Sequence, residues 1–368
     1  MKVPFVDLQA QYHLLSGEMN RTMAEVIQKN AFIGGPYLKE FEKSFAAFCG
    51  VSHAVGVSNG TDALRLALLG CGVGPGDEVI TTPNTFIATV EAVAMIGAVP
   101  RFVDVDPATG NLDPRCLEKA LSPRTRAVVP VHLYGRPADM AAICQFAQAH
   151  QLKVVSDSAQ AHGAVFQGKP LSQWGDAASF SFYPGKNLGA YGDAGAVVTN
   201  SPDVAARVAL LRDHGRTQKY EHKILGFNCR MDGLQAAVLS VKLRYLTEWT
   251  QKRQAHARQY DTLLSSIPGI RLIKSYPGAE SVVHLYTILC DDRETLRAHL
   301  TSRGIETGLH YPIPLHLQPA LSEGFKPGDF PVAEAWARNV LSLPLFPELT
   351  QEQLGYVADA FSERVRAC

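Results

Sequence analysis

The sequence lacks the features that mark membrane proteins, secreted proteins and nucleic-acid binders. No apolar run approaches the roughly 18 residues that span a bilayer. The first residues carry one lysine and no sustained apolar stretch, so no signal peptide is predicted. The 35 Lys and Arg residues balance 35 Asp and Glu residues, so no global field attracts nucleic acid or an anionic membrane.

Cysteine chemistry is also sparse. The seven cysteines are widely scattered and form no C-x-x-C pair. Neither a zinc cage nor a disulfide framework is therefore predicted. We expect a cytoplasmic protein without a metal site, in which most cysteines act as small hydrophobic side chains.

What is present is an ordinary globular composition, 46% hydrophobic in 368 residues. At roughly 150 residues per domain, this length predicts about two domains. Short β-type runs alternate with helical patterns, which predicts an α/β domain whose mainly parallel, mixed sheet lies between helices. The predicted strands are residues 53–57, 78–81, 100–105, 127–132, 153–156, 178–182 and 196–199. The predicted intervening helices are residues 62–69, 86–96, 114–120 and 138–150.

Helical patterns flank this region on both sides. Before it, Ser16 is expected to cap a helix over residues 17–29, and Pro36 opens a second helix that ends at Gly50. After it, one long helix is predicted from about residue 232 to 264. The remaining segments are a strand-like run (282–289), a helix (293–303) and a final helix from residue 350. We therefore predict a large domain over residues 1–245 and a smaller α+β domain over residues 246–368.

Ligands of open α/β sheets bind at the carboxyl ends of the strands, and two segments there carry unusual side chains. Residues 58–64 (S-N-G-T-D-A-L) open a helix. Gly60, Thr61 and the helix N-terminus suit a phosphate, although a capped helix start is the simpler explanation. Asp157 ends an apolar strand, where it suits a buried metal, protonated ring nitrogen or arginine, or caps a turn.

Lys186 lies between glycines after an aromatic strand. A buried lysine is costly unless it is neutralised, and Schiff-base chemistry requires the neutral amine. The alternative is an exposed loop lysine.

Three further segments are candidates for ligand contact. Residues 308–316 place His310, Tyr311 and His316 beside two prolines, Pro312 and Pro314, as a substrate wall or as structural side chains. Phe86 lies at a strand-to-helix turn, where it suits stacking on a planar ligand or packing in the core. The basic and aromatic segment 214–222 suits a diphosphate, or forms a solvated surface.

Taken in order, these segments resemble the DegT–StrS sugar aminotransferases. The motifs are N-G-T-D-A-L at 59–64, G-P-G-D-E-V at 74–79, Asp157 with Gln160, K-N-L-G at 186–189, G-D-A-G at 192–195, N-C-R-M-D at 228–232 and H-Y-P at 310–312. The resemblance covers nearly the whole chain. It implies the fold-type-I architecture, the cofactor pyridoxal 5′-phosphate (PLP), and a homodimer with active sites at the subunit interface.

The resemblance also implies residue roles. Lys186 is expected as the Schiff-base lysine, and Asp157 as the partner of the pyridine nitrogen, which keeps the ring an electron sink. Further cofactor contacts are expected from Gly60, Thr61, Phe86, Gln160 and Ser181, and from Asn228 across the subunit interface. Substrate contacts are expected from Tyr183, Arg216, Lys219, Tyr220, Arg230, His310 and Tyr311.

The implied reaction moves the amino group of L-glutamate to a nucleotide-diphosphate keto sugar. Residues 214–220 and 310–311 favour a dTDP-3-keto-6-deoxyhexose, which would give the dTDP-3-amino sugar and 2-oxoglutarate. A 4-keto sugar, a UDP-linked 3-keto sugar and a keto-cyclitol stay open as acceptors. Sugar dehydratases of the same family carry a histidine in place of Lys186. A non-catalytic regulator that binds PLP or a sugar nucleotide is disfavoured by the intact catalytic set and by the lack of a basic recognition helix.

Overall fold

The computed structural model of the chain describes residues 1–321 and 324–367. Its strands are β1 (His53–Val57), β2 (Glu78–Thr81), β3 (Val99–Phe102), β4 (Thr125–Val128), β5 (Lys153–Asp157), β6 (Val165–Phe166), β7 (Lys169–Pro170), β8 (Ala177–Ser181), β9 (Gly195–Thr199), β10 (Arg216–Gln218), β11 (Glu221–His222), β12 (Ile270–Leu272), β13 (Ala279–Glu280), β14 (Tyr286–Cys290) and β15 (Val340–Leu343). Its α-helices are α1 (Leu8–Gln28), α2 (Gly35–Cys49), α3 (Gly60–Gly70), α4 (Ala88–Ala94), α5 (Met140–Ala149), α6 (Pro202–Leu211), α7 (Gly233–Leu243), α8 (Leu246–Leu264), α9 (Arg293–Ser302), α10 (Pro331–Asn339) and α11 (Gln351–Ala367). Short 3₁₀ helices occupy Pro114–Ala120, Leu133–Gly135, Leu171–Gln173 and Leu315–Leu317.

The main sheet has seven strands in the order β1-β9-β8-β5-β4-β2-β3. The run from β8 to β3 is parallel, whereas β9 is antiparallel to both of its neighbours. This is the mainly parallel, mixed sheet that the alternating pattern predicted, and it places the carboxyl ends of β5 and β8 side by side.

Helices cover both faces of this sheet, because alternate residues of each strand point to opposite faces. Val197 of β9 belongs to a core with Leu66 of α3 and Val208 of α6. The adjacent Val198 belongs to a second core with Phe45 of α2. The predicted α/β class is therefore confirmed.

The first helix begins earlier than predicted. It starts at Leu8, and the Asp7 side chain caps it by accepting a hydrogen bond from the Ala10 amide at 2.8 Å. Ser16 lies inside the helix and donates to the His13 carbonyl at 3.1 Å, so the prediction that it caps the helix was wrong. The apolar pattern missed the true start because Leu8 and Leu14 are exposed.

The long helix predicted over residues 232–264 is two helices. The break at Arg244 and Tyr245 lets α7 pack on α2 beside the main sheet, while Tyr260 and Leu264 of α8 enter the C-terminal core. A second difference concerns residues 282–289, where the strand begins only at Tyr286. The preceding backbone instead bonds to Tyr134 and Gly135.

The C-terminal part is built on a second sheet of three antiparallel strands, β12-β14-β15. Helices α8, α9 and α11 share a core with it. Val3 joins this core and pairs with Ile305, so the N-terminal residues contact the C-terminal sheet. The division into residues 1–245 and 246–368 falls at the break between α7 and α8, and it stays a prediction.

None of the helices within residues 1–321 and 324–367 is both long enough and apolar enough to cross a membrane.

Candidate active site

A cavity of about 640 Å³ lies where β5 and β8 end and α3 begins. This is the edge of the sheet that the α/β pattern predicted for ligands. Ten of the residues predicted for the site line it: Gly60, Thr61, Phe86, Asp157, Gln160, Ser181, Tyr183, Lys186, His310 and Tyr311.

Lys186 enters the cavity from the loop that follows β8. Its own amide donates to the Tyr183 carbonyl at 2.8 Å, which forms a turn after the strand. Burial lowers the pKa of the Lys186 amine to about 8, against the opposing charge of Asp157. About a tenth of the amine is therefore neutral at pH 7, far more than for an ordinary lysine, and the neutral amine is the form that a nucleophile requires.

Asp157 is the last residue of β5 and lies in the same cavity as Lys186. Its Oδ2 accepts from the Thr89 hydroxyl at 2.8 Å, and its Oδ1 accepts from the Ala159 amide at 3.1 Å. Burial raises the pKa of this carboxyl, while the two hydrogen bonds and the Lys186 charge oppose that shift. A partly buried carboxylate with few hydrogen-bond partners suits a cationic ligand atom.

Thr89 was missed by the sequence analysis. It is buried on α4, and its hydroxyl also lies 2.9 Å from that of Thr85. The only signal in the sequence is its position three residues after Phe86, one helical turn away. Its link to Asp157 spans 68 residues of chain, which no local pattern discloses.

One corner of the cavity is suited to an anion. The Asn59 side chain caps α3 by accepting from the Asp62 amide at 2.8 Å, and Gly60 and Thr61 are the first helical residues. A Cβ on Gly60 would approach the Ser181 Cβ to 2.5 Å, so only glycine allows this close approach. The helix N-terminus and the hydroxyls of Thr61 and Ser181 thus line one wall.

These features fit PLP. The corner at α3 suits its phosphate, the amine of Lys186 suits its aldehyde, and the carboxylate of Asp157 suits its ring nitrogen. All three are found in one cavity. Among the residues that the structure describes, no three His, Cys, Asp or Glu side chains are grouped to hold a metal ion.

Aromatic and amide side chains form the opposite walls. Phe86 is 54% exposed, and its ring centroid lies 5.7 Å from that of Tyr311. Gln160 accepts from the Tyr134 amide at 2.6 Å and donates to the Tyr311 hydroxyl at 3.4 Å. The Tyr134 hydroxyl bonds to the His310 carbonyl. Tyr134 is a second residue that the sequence analysis missed.

His310 is held from outside the cavity. Its Nδ1 lies 2.9 Å from the Ser342 hydroxyl, and its ring stacks on Phe5 with centroids 5.7 Å apart. Burial lowers the pKa of His310 to about 4, with a further contribution from Lys186, so the ring is neutral. His316 lies outside the cavity and contacts Glu334 at 3.2 Å, as a structural histidine.

Five of the predicted residues do not line the cavity within one chain: Asn228, Arg216, Lys219, Tyr220 and Arg230. Arg216 and Arg230 both pair with Asp213 at 2.7 Å, and the Asn228 backbone pairs with that of Asp213. Lys219 lies over the Tyr220 ring, which is 84% exposed in the β10–β11 hairpin. The predicted roles of these five residues stay predictions, and the role of Asn228 was predicted across the interface between two subunits.

Comparisons with known proteins agree with this geometry. The sequence profile of the DegT/DnrJ/EryC1/StrS aminotransferase family matches residues 14–362. A protein of Streptomyces venezuelae named dTDP-3-amino-3,4,6-trideoxy-alpha-D-glucose transaminase is 48% identical over 363 residues, covering 98% of this chain and 96% of its own. A protein of Geobacillus stearothermophilus named pleiotropic regulatory protein is 47% identical over 369 residues, covering 100% of this chain and 99% of its own.

Solved structures agree as well. The crystal structure of S. venezuelae DesV in complex with a ketimine intermediate matches with a TM-score of 0.97 and 48% identity, covering 99% of this chain and 98% of that chain. The expected family, fold and cofactor are therefore confirmed. The chain belongs to the DegT/DnrJ/EryC1/StrS aminotransferase family and is a PLP-dependent sugar aminotransferase.

Proposed function

We propose that the chain transfers the amino group of L-glutamate to C3 of a dTDP-3-keto-6-deoxyhexose, giving the dTDP-3-amino sugar and 2-oxoglutarate. The observation that carries the transaminase chemistry is the pair Lys186 and Asp157. A partly neutral amine and a partly buried carboxylate share one cavity whose corner is suited to a phosphate.

Different residues of the chain bind the cofactor phosphate, hold its ring nitrogen and transfer the proton. PLP, when bound, supplies an electron sink that stabilises negative charge on the carbon next to the transferred nitrogen. The corner at Gly60, Thr61 and Ser181 holds the phosphate. Asp157, positioned by Thr89, keeps the ring nitrogen protonated. The Lys186 amine binds the cofactor aldehyde and, once released by the amino donor, accepts and returns the proton at the reacting carbon.

The acceptor is proposed from the substrate-side residues and the named relatives. Tyr183, His310 and Tyr311 line the cavity beyond Lys186, where neutral polar groups suit sugar hydroxyls. The 3-amino product in the name of the S. venezuelae relative supports amination at C3. A 4-keto sugar, a UDP-linked 3-keto sugar and a keto-cyclitol are the competing acceptors.

We further propose that the active unit is a homodimer. The segment from Arg216 to Arg230 carries Tyr220, 84% exposed, and Leu225, 97% exposed. Exposed apolar side chains of this size suit burial against a partner. In a dimer, Asn228 would reach the phosphate, and Arg216, Lys219 and Arg230 would reach the sugar nucleotide's diphosphate.

The experiment is an absorbance spectrum of the purified protein before and after addition of L-glutamate. We expect the band of the Lys186-linked cofactor to convert to that of its aminated form, and single acceptors then to restore the first band. Restoration by a dTDP-3-keto-6-deoxyhexose supports the proposal. Restoration only by a 4-keto, UDP-linked or cyclitol acceptor overturns the proposed substrate.

A protein that stays colourless with added PLP, or whose band ignores every amino donor, would contradict the transamination that we assign to Lys186 and Asp157. That result would favour the regulatory role suggested by the name of the G. stearothermophilus relative.

A further inference from the structure

Lys242 is a buried lysine that lies outside the cavity, and the proposed mechanism assigns it no role. It lies on α7, is 2% exposed, and donates from Nζ to the Gly189 carbonyl at 2.8 Å. Its Nζ also lies 4.3 Å from the centroid of the Tyr191 ring. Burial lowers the pKa of Lys242 to about 8, and the negative charge of Glu348 opposes this shift only in part. A charge buried with so little compensation needs a reason.

The reason lies in the carbonyl that it binds. Gly189 closes the loop that carries Lys186, defined as residues 184–189 and called the lysine loop. A Cβ on Gly189 would come within 2.2 Å of the Pro184 carbonyl oxygen, so the two ends of the loop touch. The next residue, Ala190, donates its amide to the Phe182 carbonyl at 2.8 Å. Lys186 thus projects from a short closed loop whose base is at Gly189.

Helix α7 holds this base at a second point. The Gln235 side chain accepts from the Tyr191 amide at 2.9 Å and donates to the Tyr191 carbonyl at 3.4 Å. Gln235 and Lys242 are seven residues apart, two helical turns, and therefore share one face of α7. Both bind backbone groups within the three residues 189–191.

The far side of the lysine loop is held by other groups. The Asn187 side chain donates to the Val282 carbonyl at 3.1 Å, and its Oδ1 lies 3.0 Å from His284 Nδ1. Because Asn187 is held on that side, the remaining freedom of the lysine loop depends on how firmly Gly189 is held. A small rotation of the loop about Gly189 displaces the Lys186 amine relative to Asp157, because the amine is at the end of a long side chain.

We propose that Lys242 is a positioning residue for Lys186: its ammonium fixes the base of the lysine loop through the Gly189 carbonyl, and Gln235 assists it at Tyr191. The inference rests on the proposed role of Lys186. An ammonium suits this task because its hydrogen bond to a carbonyl is charge-assisted, and a shielded site strengthens it further.

The test uses the holoenzyme and two variants. Lys242→Met keeps the length of the side chain and removes the charge and the donor. Gln235→Leu removes the hydrogen bonds to the Tyr191 backbone without any change of charge. It therefore distinguishes the effect of a looser loop from the effect of a lost positive charge. The control is Lys252→Met on α8, because Lys252 is an exposed lysine paired with Glu248. For each protein, two quantities are measured: the midpoint of the pH titration of the cofactor absorbance, and the hydrogen-exchange rate of residues 184–191.

We expect Lys242→Met and Gln235→Leu both to raise the titration midpoint and to speed exchange in residues 184–191. In the holoenzyme the absorbance reports protonation of the Lys186 nitrogen that is linked to the cofactor. The midpoint rises because a looser loop lets this nitrogen move to a less buried position, where its protonated, charged form is less disfavoured. Turnover should fall about tenfold, with a change of about twofold or less in KM for the sugar, because a misplaced amine slows chemistry rather than binding. Lys252→Met should change none of these.

Wild-type midpoints and exchange rates in folded Lys242→Met and Gln235→Leu would overturn the inference, as would equal changes in Lys252→Met. If Lys242→Met does not fold, Gln235→Leu decides, and a wild-type midpoint in that variant overturns it. Failure of the proposed function is distinguishable, since Lys186→Ala would then keep the cofactor band. Loss of the band in Lys186→Ala with unchanged midpoints in the other two variants defeats the present inference alone.

Discussion

Glu78 and Lys186 are both charged side chains withdrawn from solvent, but the chain compensates their charges differently. Glu78 has no exposed surface and accepts from Arg101 at 2.9 Å, Arg124 at 2.5 Å and Ser122 at 2.7 Å. The Arg101 hydrogen bond leads the effects that hold the pKa of Glu78 at about 2. At Lys186 burial has a larger effect than the opposing charge of Asp157. It lowers the pKa of the amine to about 8, which favours the neutral form.

The difference in pairing distinguishes a charged group that stabilises the fold from one that acts on a ligand. A buried charge that its own chain fully pairs keeps its ordinary protonation state and stabilises the fold. A buried charge that its chain leaves underpaired has its pKa shifted in the direction that favours its neutral form, and such groups gather where a ligand supplies the missing partner. Asp157, whose pKa burial raises, belongs to the second kind with Lys186.

The largest effect is expected from Lys186→Ala. Removing the amine removes both the bond to the cofactor and the group that moves the proton, so turnover should fall by about 10⁴-fold or more. The absorbance of the Lys186-linked cofactor should also disappear. Lys252→Ala is the matched control and should leave the spectrum unchanged. Wild-type turnover by Lys186→Ala would contradict the assignment.

Asp157→Asn is expected to have the next largest effect. The substitution keeps the shape of the side chain but removes the negative charge that holds the ring nitrogen protonated, so turnover should fall roughly 100-fold or more. Steady-state kinetics and cofactor content report the change. Unchanged turnover at full cofactor occupancy would show that Asp157 does not act on the ring.

Thr89→Val should have a smaller effect of the same kind. The variant removes the hydroxyl that donates to Asp157 Oδ2. The loss of one hydrogen bond to a charged group corresponds to about tenfold weaker cofactor binding. Thr262→Val is a matched control, because the Thr262 hydroxyl donates to the Arg258 carbonyl within α8. Equal cofactor affinity in the two variants would remove Thr89 from the site.

Glu78→Gln should change stability and leave activity alone. Loss of the charge-assisted bonds should cost about 2 kcal/mol of unfolding free energy, against less than about 1 kcal/mol for the exposed Glu294→Gln. The folded pKa of Glu78, about 2, lies below its ordinary 4.5. Its contribution is therefore fully present above that ordinary value and is lost as the pH falls toward 2.

Denaturant unfolding at several pH values between neutrality and pH 3 measures this effect. The variant should lose less stability on acidification than the wild type. A parallel loss in both proteins, or a large drop in turnover of Glu78→Gln, would break the contrast between the two buried charges.

The sequence predicted the strands β1 and β2 at their observed bounds, because strand patterns are local. The family resemblance named ten residues that line one cavity in the structure, and their roles stay predictions. It missed the Asp7 cap, since the first turn of α1 is largely exposed, and it missed the break between α7 and α8, which tertiary packing produces. Thr89 and Lys242 act on residues 68 and 53 positions away, so no local pattern reveals them.

The central claim is that the chain leaves the Lys186 charge underpaired so that its amine can react. The most direct test is the rate at which PLP restores the cofactor absorbance of the cofactor-free protein, measured against pH. The account predicts a rate that rises about tenfold per pH unit, as the neutral amine does below its pKa, and levels off near the pKa of about 8. Glu78→Gln should show the same profile. A rate that keeps rising toward the 10.5 of an ordinary lysine would contradict the account.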